Sequence, residues 1–279
     1  MLGFIGAGRK SETYLAWDGR RRSTVAAKLL RPGRPVSKLG REAELLERLT
    51  HPVLVRSFGA TLEGSTPHLA LEHVAGPSVR AVMRRGPMAP ETVAAVGLQV
   101  ATALHYLAAE GFVHLDVKPQ NILLTSPLPQ HAAESGWPER REERGDGELP
   151  TVRLIDAAAI KPVGSVVKAL GGAVPELGTR ESRAAPAAGV WLLGATMWRM
   201  LGGGRALPGG GPALPDGAPA PLVDLIRACV DEEPSARPSA GEVADALAPL
   251  AAGSRSPEPP APATRGARLR GWLVEGRRT

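Results

Sequence analysis

The sequence is almost without cysteine: Cys229 is the only one in 279 residues. A single thiol excludes a disulfide framework, and it also excludes a cysteine-based zinc site within one chain. The residues around Cys229 are apolar, among them Leu225, Ile226 and Val230. This cysteine usage fits a reducing compartment, and we therefore expect a cytoplasmic protein.

Long apolar runs are also missing. No stretch of about 18 consecutive apolar residues occurs, as a membrane-spanning helix would require. The N-terminus lacks a basic region followed by an apolar run and a small-residue cleavage site. The sequence therefore predicts neither a membrane span nor a secretory leader.

Lysine and aromatic residues are scarce as well. Only six of the 34 basic residues are lysine, and aromatic residues make up 4% of the chain. A net charge of +6 would suit a nucleic acid or an acidic lipid, but the basic residues are spread along the chain and nowhere alternate with aromatic residues. The abundance of arginine, alanine, glycine and proline has the character of codon bias. We do not expect a nucleic-acid partner, and nucleic-acid binding stays the weaker alternative.

Apolar residues make up 43% of the sequence, enough for one large or two-lobed domain. Residues 1–75 contain short stretches with strand character, such as Val25–Leu30, and one helical pattern, Lys38–Leu49. Helical patterns dominate residues 76–250, beginning with the amphipathic stretch Pro90–Glu110. The sequence thus predicts a small sheet-rich lobe followed by a larger, mainly helical lobe.

Two segments offer little to bury. Residues 125–150 contain four prolines and a run of charged residues, which predicts a disordered insertion. Residues 251–279 form a tail rich in proline and arginine. Its apolar residues Trp272, Leu273 and Val274 lie among arginines, so docking of the tail on a partner or a membrane surface is the alternative to an untethered end.

The strongest local signal is the segment 114–124, His-Leu-Asp-Val-Lys-Pro-Gln-Asn-Ile-Leu-Leu, which directly follows the long helical pattern. It resembles the catalytic loop of the protein-kinase family, matching His-Arg-Asp-x-Lys-Pro-x-Asn at every fixed position but the arginine. The resemblance implies that Asp116 accepts the proton of the substrate hydroxyl, that Lys118 neutralises charge on the transferred phosphoryl group, and that Asn121 holds a metal ion. The Lys-Pro pair is the form usual in serine/threonine kinases.

The stretch Val25-Ala26-Ala27-Lys28 resembles the strand that presents a lysine to the α- and β-phosphates of ATP in this family. An acidic partner from the following helix would position the ammonium group of Lys28. Glu42 is the candidate for this partner, and Glu44 is the competing choice.

The same resemblance implies two sites at which the backbone binds ATP. Gly6 and Gly8 would let backbone N–H groups approach the phosphates, with an ordinary turn as the alternative. The stretch Leu69–Gly76 resembles the last strand of the small lobe and the hinge. There Glu72 to Val74 would offer backbone groups to the adenine edge, and an edge strand without a ligand is the alternative.

Asp156 occupies the place of the family's Asp-Phe-Gly motif, in which the aspartate coordinates the magnesium that bridges the phosphates. The implied cofactors are therefore ATP and Mg²⁺, or Mn²⁺ in its place. Ala157 and Ala158 replace the phenylalanine and the glycine, so we expect altered packing and less conformational freedom here. A structural aspartate at the end of a buried strand is the alternative.

Further departures concern the region that docks a peptide in the family. Ala185-Pro186-Ala187 resembles the family's Ala-Pro-Glu without its glutamate, so we expect Arg237, the usual partner of that glutamate, to lack its partner. Gly189 stands where an aspartate would brace the catalytic loop from the following helix. The region that docks a peptide substrate is thus expected to be the most altered part of the molecule.

Leu115 replaces the family arginine that receives a phosphate on the activation loop. Without that arginine, phosphorylation of Ser165, Thr179 or Ser182 is expected to matter less for switching. We therefore predict an activity that is constitutive or controlled by a partner.

The resemblance covers roughly residues 3–250 and implies an α+β, two-lobed protein-kinase-like fold. Because the positions that handle ATP and chemistry keep the required residue types, we expect a serine/threonine kinase of bacterial type that phosphorylates a protein substrate. One alternative is a pseudokinase that binds nucleotide or acts as a scaffold, which the altered scaffold residues favour. The other is a small-molecule kinase, against which the Lys-Pro pair of the catalytic loop argues.

Overall fold

The computed structural model describes residues 1–8, 10–125, 150–167, 174–178, 181–202 and 217–252. Almost all of the insertion predicted for 125–150 and of the tail predicted for 251–279 lies outside these residues. Thr179, one of the three predicted phosphorylation positions, lies outside them too.

The small lobe is an antiparallel five-stranded sheet with one helix, as predicted. Its elements are β1 (Gly3–Ala7), β2 (Ser11–Asp18), β3 (Ser23–Leu30), α1 (Ser37–Arg48), β4 (Ser57–Thr61) and β5 (His68–Glu72). The strands lie in the spatial order β1-β2-β3-β5-β4. Strand β3 therefore lies at the centre of the sheet, where both of its edges are paired.

Side-chain alternation and helical periodicity bring β3 and α1 together. On β3, Ala26 and Lys28 share one face because successive side chains of a strand point in opposite directions. On α1, the buried residues Leu39 and Ala43 lie one turn apart and form an apolar stripe. Glu42 lies beside this stripe and is also buried, which places its carboxylate near the face of β3 that carries Lys28.

The large lobe is mainly helical. Its helices are α2 (Val79–Met83), α3 (Pro90–Ala109), α4 (Pro186–Gly202), α5 (Ala220–Cys229) and α6 (Ala240–Ala251). Four short strands form two antiparallel pairs: β6 (Phe112–His114) with β9 (Ile160–Pro162), and β7 (Ile122–Leu124) with β8 (Val152–Leu154). These two pairs carry the predicted catalytic loop and Asp156.

Helix α3 is the central helix of this lobe and packs against α4 and α6. A Cβ atom at Gly97 would lie 2.6 Å from Sδ of Met197 and 3.0 Å from a methyl carbon of Leu247, so glycine is what allows the three helices to approach. Among the described residues, α3 is also the one helix long and apolar enough to cross a membrane, and 61% of its apolar window is buried inside the protein.

Cys229 lies in α5 and is fully buried. Burial raises the pKa of its thiol to about 12, so the reactive thiolate is disfavoured. The residue packs the large lobe as a small apolar side chain.

Candidate active site

Three predicted site residues from distant parts of the chain meet at one ammonium group. Nζ of Lys28 donates to Oε1 and Oε2 of Glu42 at 2.8 and 3.0 Å, and to Oδ1 of Asp156 at 3.1 Å. Although burial alone would lower the pKa of Lys28, the carboxylates of Glu42 and Asp156 raise it above its usual value. The lysine therefore stays charged, and α1 and the strand leading to Asp156 are held at β3.

The choice between Glu42 and Glu44 is decided by which face of α1 each occupies. Glu42 is 6% exposed and binds Lys28, whereas Glu44 is exposed to solvent. Because the two residues are 200° apart around the helix, only one of them can face β3.

Asp156 has an unusual backbone conformation, with φ of 69° and ψ of 58°. This left-handed region is sparsely populated by residues other than glycine, and such residues are concentrated at functional sites. Burial alone would raise the pKa of Asp156, but the nearby ammonium of Lys28 outweighs it and lowers the pKa, so the side chain is a carboxylate.

The two alanines after Asp156 form a short 3₁₀ turn, Ala157–Ala159. Ala157 is 3% exposed and packs in the core, although it is much smaller than phenylalanine. Ala158 has no positive φ, so this conformation does not require the glycine of the family motif. With these two alanines in place, Lys28 still forms its hydrogen bonds to Glu42 and Asp156.

The residues of the predicted catalytic loop form a second cluster around Asp116. Oδ2 of Asp116 accepts from Nζ of Lys118 at 2.6 Å and from Nδ2 of Asn121 at 2.8 Å. Oδ1 has no hydrogen-bond partner among the described residues and is the atom left to accept a proton. Nδ2 of Asn121 also donates to the carbonyl of Asp116 at 2.9 Å, so the amide oxygen of Asn121 faces away from Asp116.

Backbone hydrogen bonds join the two clusters. The N–H of Ile155 donates to the carbonyl of Asn121 at 2.9 Å, and the N–H of Leu115 donates to the carbonyl of Ala159 at 3.2 Å. His114 directly precedes Leu115, and its Nδ1 accepts from the N–H of Asp116 at 3.2 Å. Burial lowers the pKa of His114 to about 4, so the imidazole is neutral at physiological pH.

The predicted hinge has free backbone groups where an adenine edge would bind. Neither the N–H nor the carbonyl of Val74 has a hydrogen-bond partner among the described residues. The carboxylate of Glu72 is turned away and accepts from Nε of Arg153 at 3.1 and 3.2 Å. The side chain of Glu72 is thus a structural anchor of the hinge. Its N–H donates to the carbonyl of Arg56 at 2.9 Å, so its carbonyl is the backbone group that a ligand would have to use.

Of the two predicted phosphate-loop glycines, Gly6 lies in β1 and Gly8 lies between β1 and β2. A Cβ atom at Gly6 would meet nothing within 4 Å, and one at Gly8 would meet only the carbonyl oxygen of Ser11, at 3.8 Å. Packing of the protein itself therefore does not require glycine at either position. Close approach of a ligand from outside is a physical reason for it.

Comparison with known sequences identifies the family. The profile of the protein kinase domain matches residues 1–247. The chain belongs to the protein kinase family. Its α+β fold of two lobes is the kinase fold that the sequence predicts.

Curated relatives are bacterial serine/threonine kinases. The chain is similar to the serine/threonine-protein kinase PknB of Mycobacterium tuberculosis, with 30% identity over 164 residues, 55% of this chain and 26% of that protein. It is 33% identical to PknD of the same species over 132 residues, 45% of this chain and 20% of PknD. It is also 32% identical to PkaA of Streptomyces coelicolor over 135 residues, 41% of this chain and 25% of PkaA. The matches thus span only about a quarter or less of each relative.

The donor atoms at the centre of this kinase domain suit ATP and a divalent cation. The carboxylate of Asp156 and the amide oxygen of Asn121 are hard oxygen ligands of the kind that Mg²⁺ and Mn²⁺ prefer. No group of three or more His, Cys, Asp or Glu side chains able to hold a metal occurs in the described parts of the chain. A kinase does not need one, because waters and the phosphates of ATP supply the remaining ligands.

Arg237 has a partner, contrary to the prediction. Its guanidinium is fully buried and donates to Oε1 and Oε2 of Glu176 at 2.7 and 2.9 Å. Glu176 follows Val174 and Pro175, so the kinase Ala-Pro-Glu pattern lies here with one substitution, and Pro186 instead begins α4. The signal in the sequence was the Pro-Glu pair itself, 13 residues before Gly189, and it was overlooked because Ala185-Pro186 resembles the same pattern.

Of the three predicted phosphorylation positions, Ser165 and Ser182 belong to the described residues, and neither is fully exposed. Leu115 is 5% exposed and packs in the core, so it presents no charge to the activation segment. Ser182 is buried, and its hydroxyl donates to the carbonyl of Glu176 at 2.9 Å. Ser165 is half-buried and its hydroxyl donates to the carbonyl of Pro162 at 2.6 Å.

Proposed function

We propose that the chain is a serine/threonine protein kinase that transfers the γ-phosphate of ATP to hydroxyl groups of a protein substrate. The observation that carries the proposal is the contact of Lys28 with both Glu42 and Asp156, because a phosphate-binding lysine and a metal-binding carboxylate must be in place together for this chemistry. The buried, unreactive Cys229 supports a cytoplasmic location.

In this proposal the binding groups lie along the cleft in the order of the parts of ATP. The carbonyl of Glu72 and the backbone of Val74 bind the adenine edge, and the loop that contains Gly6 and Gly8 covers the phosphates. Lys28 binds the α- and β-phosphates, held by Glu42. Mg²⁺ or Mn²⁺, bound with the nucleotide, would supply positive charge between the β- and γ-phosphates.

The reacting groups lie opposite, on the catalytic loop. Oδ1 of Asp116 takes the proton of the substrate hydroxyl. The hydroxyl oxygen bonds to the γ-phosphorus, and the bond from that phosphorus to the β,γ-bridging oxygen breaks. Lys118 stabilises the charge of the transferred group. Asn121 and Asp156 would provide oxygen ligands for the cation, and the products are a phosphorylated protein and ADP.

Phosphoryl transfer from γ-labelled ATP, with Mg²⁺ or Mn²⁺, tests this proposal. The purified chain is incubated alone and with a generic basic protein, beside the variants Asp116→Asn and Asp156→Asn. Asp224→Asn is the matched control, because its side chain is 71% exposed on α5. We expect label on serine or threonine with the wild type and the control, and none with the two site variants.

Two other outcomes would replace the proposal. Binding of ATP, seen as a rise in Tm, without any labelled product would establish a nucleotide-binding pseudokinase. Label that accumulates only on a small-molecule acceptor would indicate a small-molecule kinase.

A further inference from the structure

Helix α4 contains a buried hydroxyl group that contacts the catalytic loop. Thr196 is 2% exposed, and it alone among the buried residues of α4 is neither glycine nor hydrophobic. Its Oγ1 donates to the carbonyl oxygen of Val117 at 3.3 Å. Val117 is 1% exposed and lies between Asp116 and Lys118, the two residues proposed to carry the chemistry.

This partner is not the ordinary one for a threonine within a helix. A helical threonine commonly bonds the carbonyl four residues earlier in its own helix, which here would be that of Leu192. Thr196 instead bonds a residue 79 positions away in the chain. Because both the hydroxyl and the carbonyl are buried from water, breaking the bond would leave two polar groups unpaired.

The face of α4 that carries Thr196 also carries Gly189. The two residues are seven apart, which is close to two helical turns and places them on the same face. A Cβ atom at Gly189 would lie 3.5 Å from a methyl carbon of Val113 and 3.6 Å from the carbonyl oxygen of His114. This face of α4 therefore lies against the chain from Val113 to Val117.

Gly189 stands where the resemblance to the family implies an aspartate that braces the catalytic loop from this helix. A glycine has no side chain with which to do so. Two turns later on the same face, Thr196 donates a hydrogen bond to the loop, at the carbonyl of Val117 between Asp116 and Lys118.

We propose that Thr196 is a positioning residue for the catalytic loop and compensates for the missing side chain at Gly189. The inference rests on the proposed kinase function, since the loop it positions is the one assigned to phosphoryl transfer. The bond fixes the peptide that joins Asp116 to Lys118, and through it the direction of both side chains.

The test compares Thr196→Val, which removes the hydroxyl at almost constant volume, with Thr196→Ser, which keeps the hydroxyl and removes a methyl group. Thr92→Val, at a buried threonine in the first turn of α3, is the matched control. For Thr196→Val we expect kcat to fall about tenfold. KM for ATP should stay within about twofold, because the residues proposed to bind the nucleotide do not contact Thr196.

Thr196→Ser should change stability and leave catalysis almost unaffected. It should keep kcat within about twofold, although loss of the methyl group lowers Tm. An unchanged kcat in Thr196→Val would overturn the inference. So would an equal loss of kcat in both variants, because packing rather than the hydroxyl would then be the cause.

Hydrogen exchange of backbone amides separates failure of this inference from failure of the proposed function. If the wild type transfers no phosphate, the proposed function fails. Exchange at the amides of Asp116 and Asn121, which are hydrogen-bonded in the folded loop, still decides the role of Thr196. Faster exchange in Thr196→Val but not in Thr196→Ser would support positioning, and equal exchange in all three proteins would refute it.

Discussion

Two regions of this kinase domain depart from the family pattern to very different extents. The phosphate-handling centre, formed by the clusters around Lys28 and Asp116, keeps every chemically required residue type. The region from Ala157 to α4 has lost several family residues, among them the aspartate replaced by Gly189. It keeps the ion pair of Arg237 with Glu176, and Thr196 contacts the catalytic loop where Gly189 has no side chain to do so.

The difference has a physical reason. A group that takes a proton or binds a phosphate is fixed by its own chemistry, so substitution removes the function. A buried cation needs only a carboxylate that reaches it, and a loop needs only a hydrogen bond of suitable geometry. The second kind of requirement can be met by different residues in different proteins.

The strongest way to sharpen the comparison is to remove charge from the phosphate-handling centre. Glu42→Gln should lower kcat/KM about 100-fold, because an amide holds the ammonium of Lys28 less firmly at the phosphates. Glu44→Gln, on the exposed face of the same helix, should change it less than about twofold. Steady-state kinetics on the same protein substrate checks both. Equal effects of the two variants would show that α1 does not position Lys28.

In the region from Ala157 to α4, the largest expected effect of a substitution is on stability and not on catalysis. Glu176→Ala leaves the fully buried guanidinium of Arg237 without its carboxylate, which should cost about 3 kcal/mol of unfolding free energy. At this size, about 3 kcal/mol corresponds to roughly 6–12 °C in Tm. Thermal unfolding measures the loss, with the exposed Glu181→Ala as control.

A double-mutant cycle identifies the cause of that loss. In the Arg237→Met background, Glu176→Ala should be much less harmful, because no buried charge is left unpaired. If Glu176→Ala lowers the free energy of unfolding equally in the wild type and in Arg237→Met, the ion pair does not stabilise this region.

His114 lies beside the catalytic loop and makes stability depend on pH. Its pKa is about 4 in the folded protein and near 6.5 when unfolded, because burial disfavours the charged imidazole. Between these values the unfolded chain binds a proton that the folded protein does not, so stability falls as pH falls from about 6.5 to about 4. The loss from this group should approach about 3 kcal/mol.

Denaturant unfolding at pH 7 and pH 4.5 checks this prediction in the wild type and in His114→Asn, which keeps an acceptor near the N–H of Asp116. The variant should lose less stability between the two values. His51→Asn is the control, since burial also lowers the pKa of His51 but its ring is only half-buried. Identical pH dependence in the wild type and His114→Asn would contradict the assignment.

Local signals were sufficient for most of the fold and for the phosphate-handling centre. The strand at Val25–Leu30 and the helix at Pro90 follow from periodicity, and the catalytic loop is recognisable because its residues are close together in sequence. Glu176 was missed because its partner lies 61 residues away and the dipeptide Ala185-Pro186 offered a false match. The bond of Thr196 to Val117 has no sequence signal, because it depends on how α4 packs against the loop.

The smallest expected effect tests whether the alanines after Asp156 impair the kinase. The sequence suggested that Ala158 removes freedom that the family glycine provides, but its backbone lies in a short 3₁₀ turn without positive φ. Ala158→Gly should therefore leave kcat within about twofold and lower stability by about 0.5–1 kcal/mol, because glycine loses more conformational entropy on folding. Kinetics and denaturant unfolding of the one variant measure both quantities. A several-fold rise in kcat would show that catalysis requires a conformation of this segment that alanine restricts.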